Sequence, residues 1–336
     1  MTITQNASLL GFNTFGIDVK TDMLIEYSTV DELREILKTH INQSTKYLHI
    51  GSGSNLLFLS DYKGIILHSL IKHIEITSEN SEFVYLKVGS GVLWDDLVAH
   101  CVDNAWSGIE NLSLIPGEVG AAAVQNIGAY GVEVQDAIKS VHAMDINSGE
   151  IHVFKKEDCL YDYRESIFKN KLKAKFIILS VEFILTKKNN YKLNYQHLEE
   201  EILKNGAINL NNIRKTIISI RKSKLPDTKV YGNAGSFFMN PVISKKQFEN
   251  LLIAYPQIPH YYISENEEKI PAAWLIDQCG WKGKQIGNAA VHDKQALVLI
   301  NKGGAKGSEI VFLAQQIQKS VSEKFQINLI PEVNYI

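Results

Sequence analysis

The chain has 336 residues with 35 basic and 37 acidic side chains, a balance that gives no general electrostatic attraction to nucleic acid or anionic membranes. Its length predicts about two or three domains, and the lack of a leader pattern or long apolar run predicts a cytoplasmic protein without membrane insertion. The cysteines, Cys101, Cys159 and Cys279, lack the spacing of zinc or redox motifs, and the histidines lack metal-ligand spacing, so we expect free thiols and no metal.

Local patterns in the first half predict strands alternating with short helices. Thr29-Val-Asp-Glu32 fits a capping box at the start of an amphipathic helix. A second helix is predicted after Gly91, with one face formed by Leu93, Leu97, Val98 and Cys101. Strand patterns cover residues 47–50, 64–68, 83–88 and 176–185, and a hairpin is predicted over 141–145 and 151–154.

Two glycine-rich segments could approach a nucleotide. Residues 51–55, GSGSN, follow a predicted strand as a phosphate loop does, but they lack the third glycine and the distant acid of the dinucleotide fingerprint. A classical Rossmann domain is therefore disfavoured. Residues 115–131, IPGEVGAAAVQNIGAYG, carry little side-chain bulk, so backbone N–H groups in such a loop can reach phosphates. The alternative is a tight run of turns packed under a sheet.

Patterns in the second half predict a compact α+β region. Helices are predicted ending before Pro226, beginning at Ser244, around 274–279, and last in a long helix capped by Ser308. A strand is predicted over 295–300. The extended, apolar tail from 328 to 336 has one acid, Glu332, which is unusual because burying a carboxylate without a partner is costly.

Two loops carry candidate chemistry. Arg164 lies among tyrosines in residues 161–168 and suits bidentate recognition of a carboxylate, although a surface pair with Asp162 or Glu165 would explain it too. Ser236 lies in a loop with lysines and glycines over 224–241. It could serve as an acid or a nucleophile, but serines in such loops are often turn or cap residues, and no GxSxG elbow surrounds it.

A series of segments carries a family resemblance: NTFGI (13–17), GSGSN, IPGEVGAAAVQNIGAYG, YRESIFK (163–169), LPDTKVYGNAGSFFMNP (225–241), WLIDQCGWKGKQIGNAAVH (274–292) and PEV (331–333). In these segments, which span nearly the whole chain in order, the sequence resembles the UDP-N-acetylenolpyruvoylglucosamine reductase family. The resemblance implies an α+β fold with an FAD-binding domain of the vanillyl-alcohol-oxidase type in two subdomains, plus a C-terminal α+β substrate-binding domain. The implied parts are residues 1–75 completed by the tail 326–336, residues 76–225 with a tyrosine-bearing segment at 188–200, and residues 226–325. Tyr195 in that segment marks the longer family subtype, in which it closes over substrate.

The resemblance also implies an activity. NADPH would reduce non-covalently bound FAD, which would reduce UDP-N-acetylglucosamine enolpyruvate to UDP-N-acetylmuramate for peptidoglycan, in a protein expected to be a monomer. Ser236 is expected to protonate the α-carbon, while Arg164 and a protonated Glu332 stabilise the charge that accumulates on the carboxylate. These three residues are expected to meet over the flavin.

The same resemblance implies the binding residues. For FAD they are Ile50, Gly51, Ser52, Gly53, Ser54, Asn55, Ile115, Pro116, Gly117, Gln125, Asn126, Gly128, Ala129 and Arg221. For substrate they are Tyr195, Lys224, Asn240, Tyr261 and Gln295, with Tyr262 as an alternative to Tyr261. The chain departs from the family at Asn334, where arginine is common, and at 121–123, where alanines replace serines or a proline.

Two other functions fit parts of the sequence. Another flavoenzyme on the same scaffold, such as an alcohol or lactate oxidase, would often tether flavin through His or Cys, and neither lies inside the two flavin loops, although His49 flanks the first. A flavin- or sugar-nucleotide-binding module without activity would have lost Arg164, Ser236 or Glu332. All three are present, which favours the reductase.

Overall fold

A computed structural model describes residues 1–42, 44–195 and 197–336. The chain forms two compact units, each assembled from separate stretches of sequence. The first unit contains Met1–Ala7, Thr21–Ser52 and Lys63–Arg221, and the second contains Ser8–Lys20, Gly53–Tyr62 and Lys222–Ile336. The three parts implied by the family resemblance stay a prediction.

The described residues form twenty strands and eight α-helices. The strands are β1 (Thr2–Ser8), β2 (Lys20–Tyr27), β3 (Tyr47–Ile50), β4 (Leu56–Leu57), β5 (Tyr62–Ser69), β6 (Ile74–Glu79), β7 (Phe83–Gly89), β8 (Gly128–Ala129), β9 (Val132–Glu133), β10 (Ile138–Asp145), β11 (Ile151–Lys155), β12 (Phe176–Thr186), β13 (Gly232–Ser236), β14 (Val242–Ser244), β15 (Tyr261–Ser264), β16 (Glu267–Lys269), β17 (Gln285–Ile286), β18 (Ala289–Val291), β19 (Val298–Asn301) and β20 (Asn334–Tyr335). The α-helices are α1 (Val30–Thr39), α2 (Trp94–Asp103), α3 (Val119–Gln125), α4 (Leu198–Lys204), α5 (Leu210–Lys224), α6 (Lys245–Ala254), α7 (Ala272–Gln278) and α8 (Gly307–Phe325). Within the described ranges, none of these helices combines the length and the apolar character needed to cross a membrane.

Two sheets form the frame of the first unit. One has the order β1-β2-β5-β3, and its β3 runs parallel to β5, so that Ile50 pairs with His68. The other has the antiparallel order β11-β10-β12-β7-β6. Its central strand, β12, is mostly buried, as expected of the continuous apolar run predicted at 176–185. The predicted hairpin is confirmed as β10 and β11.

Helix α1 shows how local sequence fixes an element. Thr29 and Glu32 form the predicted capping box, with each side chain bonded to the other residue's backbone N–H. Leu33 and Ile36 then recur on one face and are fully buried. In α2 the buried face contains Leu97, Val98 and Cys101, but Leu93 lies before the helix and is 45% exposed, so its prediction on that helical face is wrong.

The second unit contains two small sheets and a terminal strand pair. The larger sheet has the order β13-β19-β18-β17, and the smaller has the order β14-β16-β15. Strand β20 pairs with β4 in parallel, so Asn334 lies beside Leu56. Helix α8 packs on β18 and β19, and its Ile310 and Leu313 are fully buried.

Two predictions in the second unit are wrong. Helix α8 begins at Gly307, so Ser308 lies inside its first turn, and the Glu309 carboxylate instead accepts from the Lys306 N–H at 2.8 Å. The predicted strand at 295–300 starts only at Val298, because Gln295 forms a turn in which its carbonyl accepts from the Val298 N–H at 3.0 Å.

Candidate active site

The glycine-rich stretch 115–131 forms a helix at its centre. Helix α3 begins after Glu118 and ends at Gln125, and it is followed by Asn126, whose φ is +47°. The three alanines favour this helix, and Gly120 allows it to pack closely, since a Cβ there would lie 2.8 Å from the Cβ of Ser90. The prediction of a loop is therefore wrong for these central residues, and the stretch is a loop, a short helix and a second turn.

The buried Asn126 side chain stabilises the second turn through hydrogen bonds. Its Nδ2 donates to Glu133 Oε2 at 2.9 Å and to the Asp162 carbonyl at 2.8 Å, while its Oδ1 accepts from the Gln135 N–H at 3.2 Å. The residue has no exposed surface. Asn126 thereby orders the backbone that leads to Gly128, and its predicted contact with a cofactor stays a prediction.

Arg164 lies beside this turn in a left-handed backbone conformation, with φ of +58°. Its Nη2 donates to the Gly128 carbonyl at 2.7 Å, and its Nη1 donates to the Asn126 carbonyl at 3.3 Å. A Cβ at Gly128 would lie only 2.9 Å from Nη1, so the glycine makes room for the guanidinium. The arginine loop and the glycine-rich stretch thus form one local structure.

The Ser52 hydroxyl meets a group of buried side chains at the start of α3. It donates to Glu118 Oε1 at 2.9 Å, and the same oxygen lies 3.0 Å from His68 Nε2. On the other side of the ring, His68 Nδ1 lies 2.9 Å from Glu26 Oε1. Burial disfavours the charged ring, but the hydrogen bonds to Glu118 and Glu26 outweigh burial and raise the pKa of His68. We call Ser52, Glu118, His68 and Glu26 the loop clasp.

Arg221, near the end of α5, is a cation with an unused donor. Its Nε–H is buried and has no acceptor among the residues that the structure describes. Burial lowers the pKa of its guanidinium, while Tyr130 and Asp95 act in the opposite direction. Asp95 is also bound by Arg214, two turns earlier on α5, through Nη1–Oδ1 at 2.6 Å and Nη2–Oδ2 at 2.9 Å. The Asp95 carboxylate accepts from the Leu114 N–H too, just before the glycine-rich stretch.

Ser236 and Glu332 are neighbours in the second unit. Ser236 ends β13 with its side chain exposed, and Glu332 is half-buried in the tail. The Glu332 N–H donates to the carbonyl of Phe237, the residue after Ser236, at 2.9 Å. Asn55 of the GSGSN loop donates from Nδ2 to the Glu332 carbonyl at 3.1 Å. Three predicted site residues therefore share one part of this unit.

The NTFGI segment supports the backbone on which Ser236 lies. The Asn233 N–H donates to the Thr14 carbonyl at 2.9 Å. Glycine is required at Gly232, because a Cβ there would lie 2.0 Å from the Phe15 carbonyl oxygen. The rings of Phe15 and Phe237 pack edge to face with their centroids 6.2 Å apart. This segment thus positions the serine strand by backbone contact.

Tyr195 lies in the first unit, in the predicted tyrosine-bearing segment 188–200, of which Gln196 lies outside the described residues. Its ring meets that of Tyr130 nearly at right angles, with centroids 5.7 Å apart. Its Cβ lies 3.6 Å from the place that a Cβ at Gly131 would occupy. Tyr195 therefore packs on the end of the glycine-rich stretch.

The remaining predicted substrate residues lie in the second unit, in different elements. Lys224 is exposed at the end of α5, and Tyr261 is half-buried on β15, whereas Tyr262 is 68% exposed. Asn240 Oδ1 accepts from the Ala272 N–H at 2.9 Å, at the start of α7. Gln295 forms the turn before β19. Their contacts with substrate stay predictions.

The sequence did not point to Asp95, Glu118 or His68. Each is an isolated ionisable residue in a helix, a loop or a strand, and its partner lies far along the chain. Glu118 and His68, for example, are 50 residues apart. A signal was available for Glu118 only, because a carboxylate directly before a short helix is a favourable position for that charge.

Two models of known families match this chain, one in its N-terminal half and one at its C-terminal end. A family model described as FAD binding domain matches residues 21–155. A second, described as UDP-N-acetylenolpyruvoylglucosamine reductase, C-terminal domain, matches residues 226–336. The predicted α+β fold with an FAD-binding domain is therefore confirmed.

Curated relatives match along the whole length. The UDP-N-acetylenolpyruvoylglucosamine reductase of Bacteroides fragilis is 52% identical over 332 residues, which cover 99% of each chain. That of Porphyromonas gingivalis is 48% identical over 338 residues, covering 100% of each chain. The crystal structure of the reductase from Thermus caldophilus aligns with a TM-score of 0.68 at 23% identity, over 99% of this chain and 98% of that one, a similarity that bears on the fold alone. The identity to the curated relatives establishes that the chain belongs to the UDP-N-acetylenolpyruvoylglucosamine reductase family.

Proposed function

We propose that this protein reduces UDP-N-acetylglucosamine enolpyruvate to UDP-N-acetylmuramate, with NADPH as electron donor and non-covalent FAD as cofactor. It would act as a cytoplasmic monomer in peptidoglycan precursor synthesis. Relatives named for this reduction match the full chain, and the FAD-binding family model matches residues 21–155. The observation that carries the proposal is the pairing of Glu332 with Phe237, because it brings a candidate acid and a candidate charge-stabilising group together.

The residues of the first unit fit an anionic cofactor. The buried Nε–H of Arg221 needs an acceptor, and a diphosphate oxygen would supply one. The GSGSN loop and the turns of the glycine-rich stretch would hold the rest of the cofactor. The chemistry that FAD supplies when bound is hydride transfer from NADPH to the β-carbon of the enolpyruvyl group.

Arg164 would hold the carboxylate of the enolpyruvyl group. A guanidinium has five N–H donors, of which the Gly128 and Asn126 carbonyls each engage one on separate nitrogens. These two bonds limit the motion of the side chain before substrate binds, so less entropy is lost on orientation. The fixed cation would also stabilise negative charge on the carboxylate as the reaction proceeds.

Ser236 would donate the proton to the α-carbon. An ordinary hydroxyl is a weak acid, so the transfer requires a strongly basic carbanion and a fixed geometry. The backbone supplies that geometry, because Ser236 pairs with Val298 of β19 and the next residue bonds to the tail. Glu332, in its protonated form, would donate a hydrogen bond to the enolic carboxylate.

The UDP portion would be bound by residues of suitable chemistry. Lys224 offers a point charge for the diphosphate, and the amides of Asn240 and Gln295 offer donors and acceptors for polar groups such as the uracil edge. Tyr195 and Tyr261 would pack against the bound nucleotide sugar. These assignments rest on the matched family motifs.

The proposal is tested with purified protein under anaerobic conditions. We expect non-covalent flavin absorbance, bleaching by NADPH, and recovery of absorbance on addition of UDP-N-acetylglucosamine enolpyruvate. A bleached cofactor that the enolpyruvate does not reoxidise would show that the assigned reaction is wrong.

A substitution separates the two half-reactions. Ser236→Ala should leave bleaching by NADPH nearly normal and slow reoxidation by the enolpyruvate about a hundredfold or more, the usual effect of removing a general acid. Ser219→Ala, on an exposed position of α5, is the control and should leave both rates unchanged. Equal losses in both half-reactions of Ser236→Ala would mean that the serine supports structure or cofactor binding instead.

A further inference from the structure

The loop clasp connects the GSGSN loop to the start of α3 through one carboxylate. Glu118 is 5% exposed, and its Oε1 receives both the Ser52 hydroxyl and His68 Nε2. Its other oxygen lies 3.1 Å from the place that a Cβ at Gly51 would occupy. The carboxylate is therefore packed directly against the Gly51–Ser52 turn and sets its position.

The geometry of His68 defines its protonation state. Nδ1 faces Glu26 Oε1 at 2.9 Å, and Nε2 faces Glu118 Oε1 at 3.0 Å. A neutral imidazole has one donor and one acceptor, whereas carboxylates only accept, so both bonds form together when the ring carries both protons. The intact clasp is therefore the imidazolium form.

Loss of one proton removes one of the two hydrogen bonds of the ring. A neutral His68 can donate to Glu26 or to Glu118, and the other carboxylate is then left facing a lone pair. The ionisable groups that act on the ring are Glu26 from β2, Glu118 from the start of α3, and His49 from β3. Burial and the charge of His68 lower the pKa of His49 to about 3, so His49 stays neutral and does not compete with His68 for a proton.

We propose that Glu118 and His68 are positioning residues that fix the Gly51–Ser52 turn for the cofactor diphosphate, and that deprotonation of His68 releases this hold. The inference rests on the proposed FAD site. The imidazolium also offsets the Glu118 charge that would otherwise repel the diphosphate. Cofactor affinity should therefore fall as pH rises.

The test measures FAD binding to the apoprotein by fluorescence quenching between pH 6 and pH 9. The wild-type dissociation constant should rise roughly tenfold over this range, the scale expected for one charge-assisted hydrogen bond. The dissociation constant of Glu118→Gln should vary less than about twofold over the same range, because an amide both donates and accepts and so can pair with a neutral ring. His68→Gln cannot titrate, so its affinity should be independent of pH and weaker than wild type at pH 6.

Glu182→Gln is the matched control. Glu182 also accepts from a serine, Ser140 at 2.9 Å, and lies 4.0 Å from His142, but it belongs to β12. This variant should keep the wild-type pH profile. A merely structural role for Glu118 would lower thermal stability and leave the wild-type pH profile in place, and that result would overturn the proposal.

The outcomes separate this inference from the proposed function. If wild type binds FAD and the enolpyruvate reoxidises the reduced flavin, but Glu118→Gln and His68→Gln keep the wild-type profile, only the positioning role is wrong. If wild type binds no FAD, both proposals fall. Should Glu118→Gln fail to fold, the His68→Gln profile decides alone, since a retained pH dependence would refute the role of His68.

Discussion

Breaking the ion pair between Asp95 and Arg214 should destabilise the first unit. The burial of the two side chains sets upper and lower limits on this loss of stability. The pair is bidentate, and the side chains of Arg214 and Asp95 are 16% and 30% exposed. Removing one partner from a fully buried pair costs about 3–5 kcal/mol, whereas an exposed pair contributes less than about 1 kcal/mol. The intermediate exposure of this pair predicts that Asp95→Asn lowers the free energy of unfolding by about 2 kcal/mol.

This contribution should disappear in acid. Burial favours the neutral form of Asp95, but hydrogen bonds from Arg214 and Leu114 outweigh burial and lower its pKa. An aspartate in an unfolded chain titrates near pH ~3.9. Because the folded value is lower, the stabilisation is fully present above the unfolded value and is lost as pH falls through the folded value. The difference between wild type and Asp95→Asn should therefore shrink below about pH 4.

A double-mutant cycle isolates the pair. Asp95→Asn, Arg214→Gln and the double variant are unfolded in urea at pH 7 and at pH 3, with Trp94 and Trp106 as fluorescent reporters in the same unit. We expect a coupling energy above about 1 kcal/mol at pH 7 and a smaller value in acid. Asp31→Asn, which removes an exposed pair with Arg34 on α1, should cost less than about 0.5 kcal/mol.

The FAD affinity of Asp95→Asn provides a second measurement, because Arg214 and Arg221 lie two turns apart on α5. The ion pair holds this helix in place and thereby positions Arg221. A coupling energy below about 0.5 kcal/mol at pH 7, or one that persists unchanged at pH 3, would refute the reasoning.

Two glycine substitutions, one in each unit, test close contacts. Gly53→Ala places a Cβ 1.9 Å from the Phe12 carbonyl oxygen at a φ of +65°, so we expect a loss of at least about 2 kcal/mol, seen as a fall of about 4–8 °C in Tm. Gly304→Ala, with a φ of +72° and nothing within 4 Å, is its control and should cost about half as much; equal losses would contradict the clash argument. Gly128→Ala would place a Cβ 2.9 Å from Arg164 Nη1 and so displace the guanidinium, and we expect reoxidation by the enolpyruvate to slow about tenfold; unchanged reoxidation would argue against Arg164 as the carboxylate ligand.

The elements that sequence predicted well are those whose cause is local. The capping box at Thr29 depends on two residues three positions apart, and the burial of β12 follows from its own apolar run. The α+β fold with its FAD-binding domain was accessible through motif resemblance. In each case the information lies within a few neighbouring residues.

The errors have both local and tertiary causes. Helix α3 was missed because the glycines and the proline around it resemble a loop, although its three alanines favour a helix, which packs closely on Ser90. The Ser308 cap was wrong because Glu309 accepts the N–H of Lys306 instead. The carboxylate partners of His68 lie on β2 and before α3, so no spacing in the sequence could reveal them.

The make-up of the second unit constrains the order in which the chain can fold during synthesis. All residues of the first unit have been made once residue 221 is complete, but the second unit must wait for the tail strand β20. Until then, residues 8–20 and 53–62 have been translated without their partners, which include the Ser236 strand and Glu332. A ribosome that has translated far enough for residue 221 to leave the exit tunnel, but has not reached residue 330, would therefore carry a chain able to complete its first unit while the two early segments stay exposed to chaperones and proteases.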